Sequence, residues 1–112
     1  AMTYPYRAET PDQTLDLLTC PPLTFAAPDE ETFRCLKLAR ECAAVGGTAC
    51  AVLNGANEEA VGAFLQDRIG FNDIPALVED ALGAVEQKAA PALEDILRAD
   101  RLAREAVRAR IR

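Results

Sequence analysis

The stretch that decides the fold is Asp73-Ile74-Pro75-Ala76-Leu77-Val78-Glu79-Asp80-Ala81-Leu82-Gly83-Ala84-Val85. Ile74, Leu77, Val78, Ala81, Leu82 and Val85 fall at i, i+3, i+4, i+7, i+8 and i+11, one stripe along an α-helix. Asn72 precedes it as a good cap. Pro75 falls in the first turn, where a missing N–H costs little. The spacing predicts a helix over 73–87. A helix with one apolar stripe needs a partner to bury it, so the flanking sequence must supply other helices.

It does, on both sides. Upstream, residues 49–68 carry Val52, Leu53, Ala56, Ala60, Val61, Phe64 and Leu65 at helical spacing, with Thr48 as the expected cap and Gly70 as the stop. Asn54, Gly55 and Asn57 sit inside that run. They are poor helix formers, so a kink or short break is expected there. Further upstream, Asp29 is a good N-cap followed by Glu30 and Glu31, whose charge suits a helix N-terminus. Positions 35, 38, 39, 42 and 45 form its stripe, and Gly46-Gly47 ends it. Downstream, Pro91 opens a fourth helix running to the end, with Leu93, Ile96, Leu97, Ala103, Val107 and Ile111 on one face. Asp100 falls on that face, where Arg104 one turn later can pair with it. Four amphipathic helices with short connections pack most simply as an antiparallel bundle, here over 29–112. Many alanines allow the helices a close approach. No internal repeat is visible.

Residues 1–28 differ. They hold Pro5, Pro11, Pro21, Pro22 and Pro28, five of the seven prolines, and no glycine. Proline fixes φ and pushes its predecessor toward extended backbone, which argues against a long helix. Tyr4, Tyr6, Leu15, Leu17, Leu18, Leu23 and Phe25 are spread along the segment, more large apolar side chains than a solvated linker carries. It reads as an extended strap that lies against something, with Asp16-Leu17-Leu18 and Leu23-Thr24-Phe25 as candidate short strands. A disordered tail is the alternative. The fold class is therefore all-α: a four-helix bundle preceded by a proline-rich strap.

Composition narrows the function. The chain has 112 residues, 12 basic and 18 acidic, with no histidine and no tryptophan. The length fits one modest core. A net charge of −6 argues against nucleic acid as a partner. It also gives no pull toward anionic lipid. No apolar run approaches the ~20 residues that cross a bilayer. No charged leader precedes a short apolar run, so no secretory signal is expected, and cytoplasmic residence is the expectation.

Chemistry is scarce. Without histidine there are no Ser-His or Cys-His nucleophile pairs and few zinc chemistries. Cys20, Cys35, Cys42 and Cys50 form no Cys-x-x-Cys pair and read as buried, reduced, core-filling thiols. There is no Gly-rich phosphate loop. Glu58-Glu59 and Glu79-Asp80 read as solvated helix surface, and so do the arginines of 92–112, interleaved with acids. The local oddity is Asn54-Gly55-Ala56-Asn57-Glu58. Either the asparagines cap a broken helix, or their amides bond to another domain's backbone. Asn54, Asn57, Glu58, Asp73, Asp100 and Arg104 are the candidate interdomain or structural polar positions. No residue is a candidate for catalysis, cofactor binding or metal ligation.

Several runs carry a resemblance. Leu23-Thr24-Phe25-Ala26-Ala27-Pro28-Asp29 is followed by Phe33-x-Cys35-Leu36-Lys37-Leu38-Ala39. Then come Ala51-Val52-Leu53-Asn54-Gly55-Ala56-Asn57-Glu58-Glu59-Ala60-Val61-x-Ala63-Phe64-Leu65 and Ile69-x-Phe71-x-Asp73-Ile74. Together they closely resemble the C-terminal part of the 1-deoxy-D-xylulose 5-phosphate reductoisomerase family. Tyr4-Pro5-x-Arg7 and Leu15-Asp16-Leu17 look like the strap leading into it. Arg34 stands where the family usually has proline, and Gly55 where it usually has alanine. Gly55 is expected to loosen the Asn54–Asn57 turn.

The resemblance implies a longer enzyme, with a dinucleotide-binding domain, a central catalytic domain and this helical bundle. It implies an NADPH-dependent rearrangement and reduction giving 2-C-methyl-D-erythritol 4-phosphate, in isoprenoid biosynthesis. It also implies a divalent metal, Mg or Mn, and a homodimer. The metal, phosphate and nucleotide residues of the family lie upstream, so no cofactor or metal is expected on this segment. Its partner would be the enzyme's own catalytic domain, and alone it should be inactive. A free-standing helical protein-interaction module is the alternative.

Overall fold

A computed structural model describes residues 4–6, 8 and 15–111. The expectations that fall on Arg7 and Pro11 lie outside the described residues. The elements are α1 (Arg34–Val45), α2 (Ala49–Leu65), α3 (Asp73–Ala84) and α4 (Leu93–Arg110), with no strand among the described residues. The all-α reading holds, and the candidate strands at 16–18 and 23–25 do not form. Residues 16–20 make a turn instead, in which the Leu18 N–H donates to Asp16 Oδ1 (2.9 Å) and the Cys20 N–H to the Asp16 carbonyl (2.9 Å). This turn leaves Leu17 and Leu18 exposed, along with Leu15, Leu23 and Phe25.

α1 begins later than its cap signal suggested. Asp29 Oδ1 accepts from the Glu31 and Thr32 N–H groups at 3.2 and 3.0 Å, closing a turn over 29–33. Phe33, rather than Asp29, flanks the helix proper. Leu38 and Cys42 are buried as the stripe required, whereas Val45 is exposed. Gly46 and Gly47 both take positive φ, 72° and 57°, and turn the chain into α2.

α2 runs unbroken through Asn54-Gly55-Ala56-Asn57, so the expected kink is absent. It stops at Leu65, before the predicted limit of 68 and stop at Gly70. Asp67 adopts φ 56°. The Arg68 N–H then donates to the Ala63 carbonyl (3.0 Å) and the Asp67 N–H to that of Phe64 (2.9 Å). This pair of bonds satisfies the helix's last carbonyls, with aspartate in the left-handed role that glycine usually fills.

α3 matches its prediction in type and face. Ile74, Val78, Ala81 and Val85 are buried and Leu77 and Leu82 half-buried. Asn72 makes no side-chain cap bond, and Asp73 instead turns back to accept from the Gly70 N–H at 2.7 Å. In α4, Asp95 Oδ2 accepts from the Ala92 N–H (2.8 Å). Acids Glu94 and Asp95 in the first turn and Arg108 and Arg110 in the last complement the helix dipole.

α2 and α3 sit at the centre, touching each other, α1 and α4, while α1 and α4 do not meet. The core is built of small residues. Val52, Ala56, Ala60 and Ala63 of α2 face Val78 and Ala81 of α3 and Ala99, Ala103 and Val107 of α4. Side chains of this size let helix axes come close, which is how a chain with six aromatics fills a core. No helix among the described residues is long and apolar enough to cross a membrane.

Candidate functional site

The polar candidates gather on the seam between α2 and α4. Arg104 projects from α4 with its Nε 3.0 Å from Asp100 Oδ2 and its Nη2 2.6 Å from Glu58 Oε2. Asp100 and Arg104 are one turn apart, as the sequence suggested. Glu58 reaches them from another helix, and its Oε1 accepts from Asn54 Nδ2 at 3.2 Å. Next along the seam, Arg108 forks onto Glu59 with bonds of 2.8 and 2.7 Å.

The charges answer one another. Hydrogen bonds from Arg104, and then from Asn54, hold the Glu58 carboxyl below its ordinary range. Arg108 does the same for Glu59. The Asp100 and Glu58 carboxylates hold the Arg104 guanidinium charged, above its ordinary value. These paired charges join α2 to α4 along the seam.

Gly55 explains how the seam closes. A Cβ there would lie 2.7 Å from Asp100 Oδ1 and 2.9 Å from the Asp100 carbonyl oxygen. Glycine is the residue that lets α4 approach here. The pairs Gly55–Asp100, Glu58–Arg104 and Glu59–Arg108 climb both helices together, so α2 and α4 are parallel neighbours.

The remaining candidates lie elsewhere. Asn57 is half-buried and borders a cleft of about 170 Å³ with Cys35, Ala39, Leu53, Asn54 and Val78, between α1, α2 and α3. Asp73 works locally, at the α3 start. Arg34 pairs with Glu79, tying α1 to α3.

Thr48 was expected to cap α2. Its side chain instead accepts from the Lys88 N–H at 2.9 Å, and its own N–H donates to the Lys88 carbonyl at 3.0 Å. Thr48 is buried, and this two-bond clasp joins the α1–α2 and α3–α4 connections. Neither the clasp nor the Glu59–Arg108 fork was foreseen. Both bridge residues at least 40 apart, where no local spacing rule reaches.

The cysteines only partly match the core-filling expectation. Cys42 is buried, Cys35 and Cys20 are half-buried and Cys50 is exposed, all as free thiols. Burial pushes the Cys35 and Cys42 thiols up, away from thiolate chemistry. Among the described residues no three His, Cys, Asp or Glu side chains converge as a metal site. The acids of the seam are committed to arginines. The described residues therefore do not fit a divalent metal.

The family model for the DXP reductoisomerase C-terminal domain matches residues 1–106. A 1-deoxy-D-xylulose 5-phosphate reductoisomerase of Ruminiclostridium cellulolyticum is 46% identical over 108 residues, covering 96% of this chain and 28% of the relative. One of Ectopseudomonas mendocina is 49% identical over 104 residues, covering 93% of this chain and 26% of the relative. The solved reductoisomerase of Zymomonas mobilis in complex with NADPH superposes with a TM-score of 0.80 at 41% identity, over 98% of this chain and 29% of that one. A DOX-P reductoisomerase in complex with NADPH, fosmidomycin and magnesium gives a TM-score of 0.80 at 39% identity, with the same coverage. The chain thus spans 26–28% of the length of these curated relatives.

Proposed function

Because the chain belongs to the DXP reductoisomerase C-terminal domain family, we propose that it is the helical C-terminal domain of a 1-deoxy-D-xylulose 5-phosphate reductoisomerase, and that it braces that enzyme's catalytic domain. The whole enzyme would rearrange and reduce its substrate with NADPH and a divalent metal held by the preceding domains. It would work as a homodimer, as the resemblance implies, and in the cytoplasm.

The observation that carries the bracing role is the strap. Leu15, Leu17, Leu18, Leu23 and Phe25 are all exposed, although each would gain about 1.5–3 kcal/mol by burial. A run of large apolar side chains left in water by its own domain is suited to lie on another body.

The test is enzymatic. The full-length polypeptide should oxidise NADPH in the presence of 1-deoxy-D-xylulose 5-phosphate and magnesium, and the 112-residue chain alone should not. Turnover by the 112 residues above background overturns the reading.

A further inference from the structure

α2 is apolar on nearly every side. In Ala49–Leu65 the polar residues are Asn54, Asn57, Glu58 and Glu59. Such a helix belongs in an interior, covered all round. Here the outer side is uncovered. Cys50, Asn54, Asn57, Val61 and Leu65 follow i, i+4, i+7, i+11 and i+15, one row along the helix. Cys50, Asn54 and Leu65 are exposed, Leu65 at 74%, and Asn57 and Val61 are half-buried. The row carries no charge, although 27% of the chain's residues are charged. Depletion of charge marks the centre of an interface.

Two features extend the row. On one side, the Asn57 amide borders the apolar cleft against α1 and α3, and makes no side-chain hydrogen bond among the described residues. On the other side lies α4, parallel to α2 and in register, with Asp100 level with Gly55. About one and two turns earlier on α4 are Leu97 and Leu93, 59% and 63% exposed.

We propose that the Cys50–Leu65 row of α2, with Leu93 and Leu97 of α4, is the surface on which the catalytic body of the same polypeptide sits. This rests on the functional reading above. The matched solved enzymes place this chain in 29% of their length, so most of the polypeptide lies outside it and is available as occupant. The apolar side chains supply the buried area. The Asn54 and Asn57 amides supply donors and acceptors for backbone on the other side, and the cleft is a socket for an apolar side chain.

The test uses Cys50 and Cys42 in the full-length enzyme. Cys50 lies on the proposed surface, whereas Cys42 is buried inside the bundle and reports whether the bundle stays folded. Maleimide labelling, read by peptide mass, should be slow at both in the native enzyme, at least about tenfold below the urea-unfolded rate. Leu65→Glu or Leu97→Glu should raise labelling of Cys50 and leave Cys42 protected. Cys50 labelling at the unfolded rate in the native enzyme overturns the proposal. So does protection that neither variant relieves, or protection lost on dilution to monomer, which would make a second copy the occupant. NADPH oxidation measured on the same sample separates the two ideas. Protected Cys50 without substrate-dependent turnover sinks the enzymatic reading and leaves the docked surface standing.

Discussion

Gly55 of α2 and Asp100 of α4 are packed so closely that a Cβ on Gly55 would fall 2.7 Å from the Asp100 carboxylate and 2.9 Å from its backbone oxygen. Two effects oppose each other when Gly55 becomes alanine. Helix propensity favours alanine by about 1 kcal/mol. Overpacking against a neighbouring helix costs about 1–3 kcal/mol, and backbone cannot rotate away as a side chain can. The contact wins: Gly55→Ala lowers the urea midpoint and weakens the Arg104–Glu58 bond by parting the helices. A midpoint that rises would show that α4 yields freely.

The glycine pair after α1 separates strain from contact. Gly46 and Gly47 both have positive φ, but a Cβ on Gly46 would meet nothing within 4 Å, whereas one on Gly47 would lie 2.1 Å from the Lys88 carbonyl. Gly46→Ala should cost only the backbone strain of a Cβ at φ 72°, ψ −149°, a region essentially reserved for glycine, about 1–3 kcal/mol. Gly47→Ala should cost more, because it also breaks the Thr48–Lys88 clasp. Thr48→Val should cost about 1–3 kcal/mol by removing the acceptor of the Lys88 N–H. Thr48→Ser keeps that oxygen and should recover most of it. Equal losses for the two glycine variants in urea titrations would exclude the contact.

The seam also makes stability depend on acid. Glu58 and Glu59 have folded-state values below their ordinary 4.5, through hydrogen bonds from Arg104 and Arg108. Lowered carboxylates stabilise the fold above the unfolded value, and that contribution is lost as pH falls through the folded value. The urea midpoint should therefore drop as pH is taken below 4.5. Glu58→Gln with Glu59→Gln should lower the midpoint at neutral pH and flatten the acid slope. The slope will not vanish, because Asp29 and Asp95 are also held low by their hydrogen bonds. An unchanged slope in the double variant counts against the seam.

What the sequence made legible was whatever repeats locally. The α3 stripe is a period-3.6 pattern, and each of its members is at least half-buried. Asp100–Arg104 is an i,i+4 pair, and it forms. The errors arose where a residue's role depends on a distant partner. Asn54, Gly55 and Asn57 were read by propensity as a break. In the fold, the missing Cβ of Gly55 admits α4 and Asn54 binds Glu58. Thr48 before a helix resembles a cap, but its hydroxyl is engaged 40 residues away. Leu93 and Leu97 continue the α4 stripe in sequence, but the bundle ends before it covers them. Among the candidate site residues, Asp100, Arg104, Glu58 and Asn54 come together, whereas Asn57 and Asp73 serve elsewhere.

That uncovered end of α4 gives a comparison between two apolar residues of similar sequence character. Val78 is 1% exposed and belongs to the core cluster. Val78→Ala removes buried methyl groups and leaves a cavity, which costs roughly 2 kcal/mol at about 0.8 kcal/mol per group plus the void. Leu97 lies on a helix face open to solvent in this chain, so Leu97→Ala should shift stability by no more than about 0.5 kcal/mol. Chemical denaturation of both variants in the 112-residue chain checks the contrast. A loss at Leu97 as large as at Val78 would mean that the strap or a second copy covers α4, and would remove Leu97 from the surface available to a catalytic body.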